Sequence, residues 1–198
     1  MRTDFKIVLA SASPRRKELL IRIGLNPVIE PSTIEEKITT TIPQDAVKEL
    51  SRQKAEDVAR HQSLNTVVIG ADTVVAAEGR ILLKPKSHEE AFQMIQLLQG
   101  KTHQVYTGVT LILHGKKKPI IRTFSERTDV HVYSMTDEEV RTYADGEEPM
   151  DKAGSYGIQG QFAAFIRGID GDYNNVVGLP VGRVYQELKE MFEQEEEE

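Results

Sequence analysis

The 198-residue sequence contains no cysteine, and this absence excludes several classes of protein. A chain without thiols cannot be a disulfide-stabilised scaffold, a thiol-dependent enzyme, an iron–sulfur protein or a protein with cysteine-ligated zinc. Tryptophan is also absent, and no hydrophobic run exceeds about five residues, far short of the ~20 that a membrane-spanning helix needs. The first residues do not have the pattern of a secretory signal peptide. We therefore expect a cytoplasmic protein that does not associate with membranes.

Acidic charge is concentrated at the C-terminal end of the chain. Five of the last six residues are glutamates, and leaving them out changes the net charge from −6 to −1. Residues 1–24 have the opposite balance, with six basic and two acidic side chains. A local basic cluster in a nearly neutral body suits a small polyanion better than duplex DNA, which is bound by a broad basic surface. We expect one domain over residues 1–192 and a solvated acidic tail over residues 193–198.

Strand and helix patterns alternate along the chain, and hairpins intervene between some of them. This order predicts an α/β fold with a mixed twisted sheet and flanking helices rather than a purely parallel sheet. The predicted strands span residues 5–10, 26–31, 66–77, 81–85, 105–113, 120–133 and 162–169, and the predicted helices span residues 13–24, 43–61, 87–100, 136–146 and 181 onward. Residues 149–160 and 171–180 are predicted as loops.

Two serines and three basic residues surround the start of the first predicted helix, in the segment Leu9-Ala-Ser-Ala-Ser-Pro-Arg-Arg-Lys17. Ser13 is the expected cap, with Pro14 in the first turn. Basic residues there repel the partial positive charge of the free N–H groups, at a cost of about 0.3–1 kcal/mol. A bound anion would offset this cost, because free N–H groups, serine hydroxyls and arginines together bind phosphate. The segment favours a phosphate site; the alternative is a capped helix with solvated arginines.

Asp72 directly follows the apolar run of a predicted strand. An acid at the carboxyl end of a strand, where open α/β sheets place their ligands, is a common catalytic or metal-binding position. A turn-forming aspartate is the alternative, but strand character resumes at Thr73. Glu36, in the loop after the second predicted strand, is a weaker candidate, since most acidic pairs in loops are solvated.

Two lysines have patterns that leave two interpretations open. Lys54 lies on the apolar stripe of its predicted helix, so it either extends to solvent or reaches a bound phosphate. Lys84 ends the hairpin partner of the strand that carries Asp72, so it either approaches Asp72 or faces solvent.

Three glycines at three-residue spacing stand out in residues 151–160, at positions 154, 157 and 160. Such spacing indicates a backbone packed closely against another group. Gln159 lies between two of these glycines and offers both a donor and an acceptor. The segment is either part of a binding site or a tight structural loop.

Five blocks of sequence, in order and spanning nearly the whole chain, carry a family resemblance. They are Leu9-Ala-Ser-Ala-Ser-Pro-Arg-Arg16, Gly70-Ala-Asp-Thr73, Lys84-Pro85, the Asp-Lys-Ala-Gly and Tyr-Gly-Ile-Gln-Gly runs of residues 151–160, and Asn175-Val-Val-Gly-Leu-Pro180. Together they resemble the Maf family of nucleoside triphosphate pyrophosphatases. The resemblance implies a mixed α/β fold with two lobes around a central cleft, similar to inosine-triphosphate pyrophosphatases.

The resemblance also implies roles for individual residues. Asp72 would be the catalytic base and, with Glu36, would hold a divalent cation such as Mg²⁺, Mn²⁺ or Co²⁺. The implied phosphate-binding set is Ser11, Arg15, Lys54 and Lys84. Arg15, Thr73 and Gln159 match positions linked to base selection in the subfamily that prefers dTTP and UTP. Leu83 departs from the family pattern, in which many members carry glycine or glutamate.

The expected activity is hydrolysis of dTTP, UTP or modified uridine and thymidine triphosphates to the monophosphate and pyrophosphate, as house-cleaning of the nucleotide pool. The family often forms homodimers. The alternative function is that of a non-catalytic nucleotide-binding regulator of septation, since overproduced family members are associated with septum inhibition. Nucleic-acid binding is disfavoured by the nearly neutral body and the acidic tail.

Overall fold

A seven-stranded mixed sheet lies at the centre of the computed structural model, which describes residues 4–197. Its strands are β1 (Lys6–Leu9), β2 (Val28–Ile29), β3 (Thr66–Ala77), β4 (Arg80–Leu82), β5 (Thr102–His114), β6 (Ile120–Val132) and β7 (Ile166–Asp170). The spatial order is β2-β1-β3-β5-β6-β7, and β4 pairs with part of β3. β1 runs parallel to β2 and β3, whereas β3, β5, β6 and β7 pair antiparallel. The predicted mixed sheet is confirmed.

Helices cover both faces of this sheet. They are α1 (Pro14–Arg22), α2 (Pro43–Ala59), α3 (His88–Leu98), α4 (Asp137–Ala144), α5 (Tyr173–Val177) and α6 (Val181–Glu197). The larger core lies on the face that receives α1, α3 and α6. A smaller apolar cluster lies on the opposite face, where α2 packs across β3 and β5. No helix within residues 4–197 has the length and apolar character needed to cross a membrane.

Two glycines allow α2 to lie directly on the sheet. A Cβ atom at Gly108 would be 2.1 Å from the carbonyl oxygen of Val47, and one at Gly70 would be 2.4 Å from the carbonyl oxygen of Ser51. Only residues without side chains permit this approach. Side chains alternate along a strand, so Asp72 projects from the same face of β3 as Gly70, towards α2.

Two stretches near the C-terminal end differ from the sequence prediction. The predicted strand over residues 162–169 is wrong in its first half, because Gln161–Phe165 forms a 3₁₀ turn and β7 begins at Ile166. Phe162 is the buried residue of this turn, and its ring packs on Tyr143 and Tyr156 with centroids 5.0 and 4.8 Å apart. The predicted loop over residues 171–180 contains the short helix α5.

The acidic end of the chain continues the last helix. α6 runs through Glu197, and the Glu195 carboxylate accepts a hydrogen bond of 2.7 Å from the backbone N–H of Lys116 in the β5–β6 turn. Glu198 at the end of the tail and Arg2 of the N-terminal basic cluster lie outside the described residues.

Candidate active site

A cleft of about 770 Å³ opens beside the sheet, between the segments that follow β1, β2 and β4 and the residues between α4 and β7. All eight residues predicted for the site from the sequence line this cleft. Arg15 and Asp72, which are far apart in the chain, therefore share one cavity. Hydrolysis of a bound phosphate compound by these residues requires that they face the same cavity.

Lys54 joins the two acidic residues at the cleft floor. Its ammonium nitrogen is 2.5 Å from Asp72 Oδ1 and 3.0 Å from Glu36 Oε1. The Lys54 and Asp72 side chains are only 14% and 15% exposed, so the interpretation in which Lys54 extends to solvent is wrong. The approach of α2 to β3 brings the lysine to the aspartate, and the loop after β2 supplies the glutamate.

The two carboxylates suit a divalent cation that is also held by its substrate. Since both lie within 3.0 Å of one ammonium, they are close enough to share one cation. Mg²⁺ is commonly bound by one or two protein carboxylates together with substrate phosphates. Within residues 4–197 no group of three or more His, Cys, Asp or Glu side chains is placed to hold a metal ion.

The start of α1 faces the cleft with free backbone donors. Pro14 occupies the first turn as predicted, and no acidic residue is present there. Ser13 occupies the N-cap position as predicted, but its side chain makes no cap hydrogen bond. Ser11 organises this segment instead: its hydroxyl oxygen accepts from the Ser13 N–H at 3.3 Å and from Arg16 Nη1 at 3.0 Å.

Arg16 is a buried cation at the cleft that sequence reasoning did not select. Besides its bond to Ser11, Nε donates to the Gly178 carbonyl oxygen at 2.9 Å and Nη2 donates to Thr73 Oγ1 at 3.1 Å. Burial lowers the pKa of Arg16, and the negative charge of Asp72 opposes that shift. A signal was present: Arg16 lies three and four positions before two buried leucines, which places it on the inner face of α1.

Arg15 has a different environment, at the mouth of the cleft. Its Nη1 is 3.1 Å from Asp151 Oδ2, while Asp151 Oδ1 accepts from Lys152 Nζ at 2.6 Å. Burial opposes the ionisation of Asp151, but hydrogen bonds from Lys152 and Arg15 outweigh it and lower the pKa of the carboxyl. The pair connects α1 to the residues between α4 and β7.

The remaining predicted residues line other parts of the wall. Thr73 Oγ1, besides accepting from Arg16, lies 2.9 Å from Thr107 Oγ1. Lys84 is exposed, and within residues 4–197 its ammonium has no ion-pair partner, so it is available to an anion. Gln159 is exposed within the cleft. Lys84 therefore lines the same cleft as Asp72 and is also exposed, so its position does not distinguish between its two interpretations.

Backbone donors, several cations and two carboxylates around one cleft of a mixed α/β sheet define a protein equipped to bind and hydrolyse a phosphate compound. A family model described as "Maf-like protein" matches residues 6–191. The chain belongs to this family, which confirms the resemblance seen in the sequence.

Two relatives that carry a functional name match most of the chain. A dTTP/UTP pyrophosphatase of Agathobacter rectalis is 55% identical over 199 residues, covering 94% of this chain and 97% of the relative. A dTTP/UTP pyrophosphatase of Lachnoclostridium phytofermentans is 49% identical, covering 93% and 94%. Among solved structures, the Staphylococcus aureus Ham1 protein is 18% identical, covers 64% of this chain and 71% of its own, and has a TM-score of 0.45. A TM-score that low has no bearing on the fold or activity of this chain.

Proposed function

We propose that this chain is a nucleoside triphosphate pyrophosphatase that converts dTTP and UTP to the monophosphate and pyrophosphate. The observation that carries the proposal is the shared cleft, in which Arg15, Lys54 and Asp72 surround one space. Relatives named dTTP/UTP pyrophosphatases, about half identical over most of the chain, support the choice of substrate.

The cations of the cleft bind the triphosphate in this proposal. Free N–H groups at the start of α1 and the Ser11 hydroxyl contact phosphate oxygens, while Arg15, Lys54 and Lys84 neutralise negative charge. Charge grows on the pyrophosphate leaving group as the bond to it breaks, so these cations stabilise the transition state more than the ground state.

Asp72 is the general base. A water oxygen attacks the α-phosphorus, the bond from that phosphorus to the oxygen bridging to the β-phosphate breaks, and pyrophosphate leaves with the bonding electron pair. The proton lost by the water passes to a carboxylate oxygen of Asp72. Lys54, which contacts Asp72 Oδ1, fixes the orientation of this carboxylate and leaves Oδ2 to face the water.

Glu36 and Asp72 would hold the divalent cation, which can be Mg²⁺, Mn²⁺ or Co²⁺. When bound, such an ion neutralises phosphate charge and makes a coordinated water more acidic. At the other end of the cleft, the Gln159 amide reads the O4 and N3–H edge of uracil or thymine, since one amide offers both an acceptor and a donor. Arg15 and Thr73 complete the base-selection set.

Product analysis tests this function. The purified protein is incubated with each standard nucleoside triphosphate, and with modified uridine and thymidine triphosphates, in the presence of Mg²⁺, Mn²⁺ or Co²⁺. Monophosphate and pyrophosphate formed preferentially from dTTP and UTP, and lost with EDTA, are expected. Tight nucleotide binding without hydrolysis would instead favour the non-catalytic regulator, and release of inorganic phosphate would place the cut at the wrong bond.

A further inference from the structure

The turn that carries Gln159 is compact, and its two central residues differ in their exposure to solvent. We refer to residues 157–160 as the glutamine turn. The Gly160 N–H donates to the Gly157 carbonyl oxygen at 3.1 Å and closes the turn. Ile158 is only 8% exposed, whereas Gln159 is exposed in the cleft. The direction of the Gln159 side chain therefore depends on how the backbone of this turn is held.

One carboxylate and one phenol hold both ends of the glutamine turn. Glu148 Oε2 accepts from the backbone N–H of Gln161 at 2.8 Å, immediately after the turn. Glu148 Oε1 accepts from the Tyr143 hydroxyl at 2.8 Å. That hydroxyl accepts a longer hydrogen bond, of 3.4 Å, from the N–H of Gly157 at the start of the turn.

The Glu148 carboxylate also packs directly on the turn. A Cβ atom at Gly160 would lie 2.1 Å from Glu148 Oε2, so a side chain at this position would displace the carboxylate from the turn. Tyr143 remains a donor because burial, with the adjacent Glu148 carboxylate, raises the pKa of its hydroxyl. The Tyr143 ring packs on Phe162 and its hydroxyl donates to Glu148, so contacts at the ring and at the hydroxyl both fix this side chain. Neither Glu148 nor Tyr143 lines the cleft.

We propose that Glu148, with Tyr143, is a positioning residue for base selection that acts through Gln159 by fixing the glutamine turn. The inference rests on the proposed function, because it assumes that Gln159 reads the base. Under this inference, a residue outside the cleft helps the enzyme to distinguish thymine and uracil from cytosine. The amino group of cytosine is a hydrogen-bond donor at the position where thymine and uracil have an acceptor oxygen.

The test is a double-mutant cycle read as a specificity ratio. The ratio of kcat/KM for dTTP to that for dCTP is measured for wild type, Glu148→Ala, Gln159→Ala and the double variant. We expect Glu148→Ala to lower the ratio about tenfold, the effect of one lost hydrogen bond to the base. In the Gln159→Ala background the same change should lower it no further, because the group it positions is gone. Glu147→Ala, an exposed neighbour, is the matched control and keeps the wild-type ratio.

Two further measurements keep the test decisive. Tyr143→Phe retains the ring packing and removes only the hydroxyl, so it should lower the ratio about threefold even if Glu148→Ala fails to fold. Binding of α,β-methylene analogues of dTTP and dCTP reads base selection without turnover, which separates failure of the inference from failure of the proposed function. An unchanged preference in folded Glu148→Ala or Tyr143→Phe, or a fully additive double variant, would overturn the inference.

Discussion

The contact between α2 and β5 fixes the position of Lys54, and Gly108→Ala tests this link between packing and chemistry. A Cβ at Gly108 would be 2.1 Å from the Val47 carbonyl oxygen, whereas real Cβ contacts are not shorter than 3.0 Å. Relieving the clash therefore requires α2 and β5 to separate by about 0.9 Å, since the obstructing atom is backbone. Lys54 lies two turns along the same helix and would move away from Asp72.

The expected cost has two parts. Overpacking of this kind destabilises a fold by about 1–3 kcal/mol. A displacement near 1 Å in a catalytic constellation lowers the rate up to about 10²-fold. We expect Gly108→Ala to lower kcat for dTTP at least tenfold at a temperature where the variant remains folded by circular dichroism.

Gly182→Ala is the matched control for this experiment. Gly182 lies in α6 and a Cβ there would meet nothing within 4 Å, so alanine should leave kcat unchanged and raise the free energy of unfolding by about 0.5–1 kcal/mol. Wild-type kcat and stability in Gly108→Ala would refute the reasoning that the glycine sets the position of the helix.

Three further predictions follow from the contacts of basic residues. Arg15→Ala should lower kcat/KM for dTTP roughly ten- to a hundred-fold, as expected for loss of a hydrogen bond to a charged group, whereas Arg22→Ala at the exposed end of α1 should not; equal effects would remove Arg15 from the site. Arg16→Met removes three hydrogen bonds, to the Gly178 carbonyl oxygen, the Ser11 hydroxyl and the Thr73 hydroxyl, and should lower both the melting temperature and kcat/KM. A variant as active as wild type would show that the buried cation does not organise the cleft. Burial lowers the pKa of His103 to about 4, below the value of 6.5 for an unfolded chain, so protonation favours the unfolded state. The free energy of unfolding should therefore fall by about 3 kcal/mol at most as the pH drops from 6.5 to 4. In His103→Gln, the free energy of unfolding should depend less steeply on pH over this range.

Sequence patterns predicted most of the elements, because these depend on local rules, whereas the full set of cleft residues came from the family resemblance. Strand ends, a proline-initiated helix and hydrophobic periodicity placed Ser11, Asp72 and Lys54 on the correct elements. The partner of Lys54 could not be predicted, since it depends on how α2 lies across β3. That arrangement is set by two glycines, each contacting residues distant in the chain.

The errors have similar causes. The apolar run at residues 162–165 is compatible with a strand or with a turn, and only the aromatic contacts of Phe162 decide between them. The sequence did not distinguish Arg16 from its neighbour Arg15. In the structure Arg16 is buried against the Gly178 carbonyl oxygen, whereas Arg15 lies at the cleft mouth and pairs with Asp151. The contact of Glu148 with the glutamine turn could not be predicted, because the carboxylate accepts from a backbone N–H group, which every residue except proline has.

In the proposed mechanism, Asp72 faces the bound triphosphate and removes the proton of the attacking water. Asp72→Asn tests this role, because it keeps the size of the side chain and one oxygen for Lys54 while removing the base. Pyrophosphate release from dTTP and binding of its α,β-methylene analogue are measured for both proteins. We predict that kcat falls by about 10²–10⁴ while the fold, measured by thermal unfolding, is retained. Wild-type pyrophosphate release by Asp72→Asn would contradict the account.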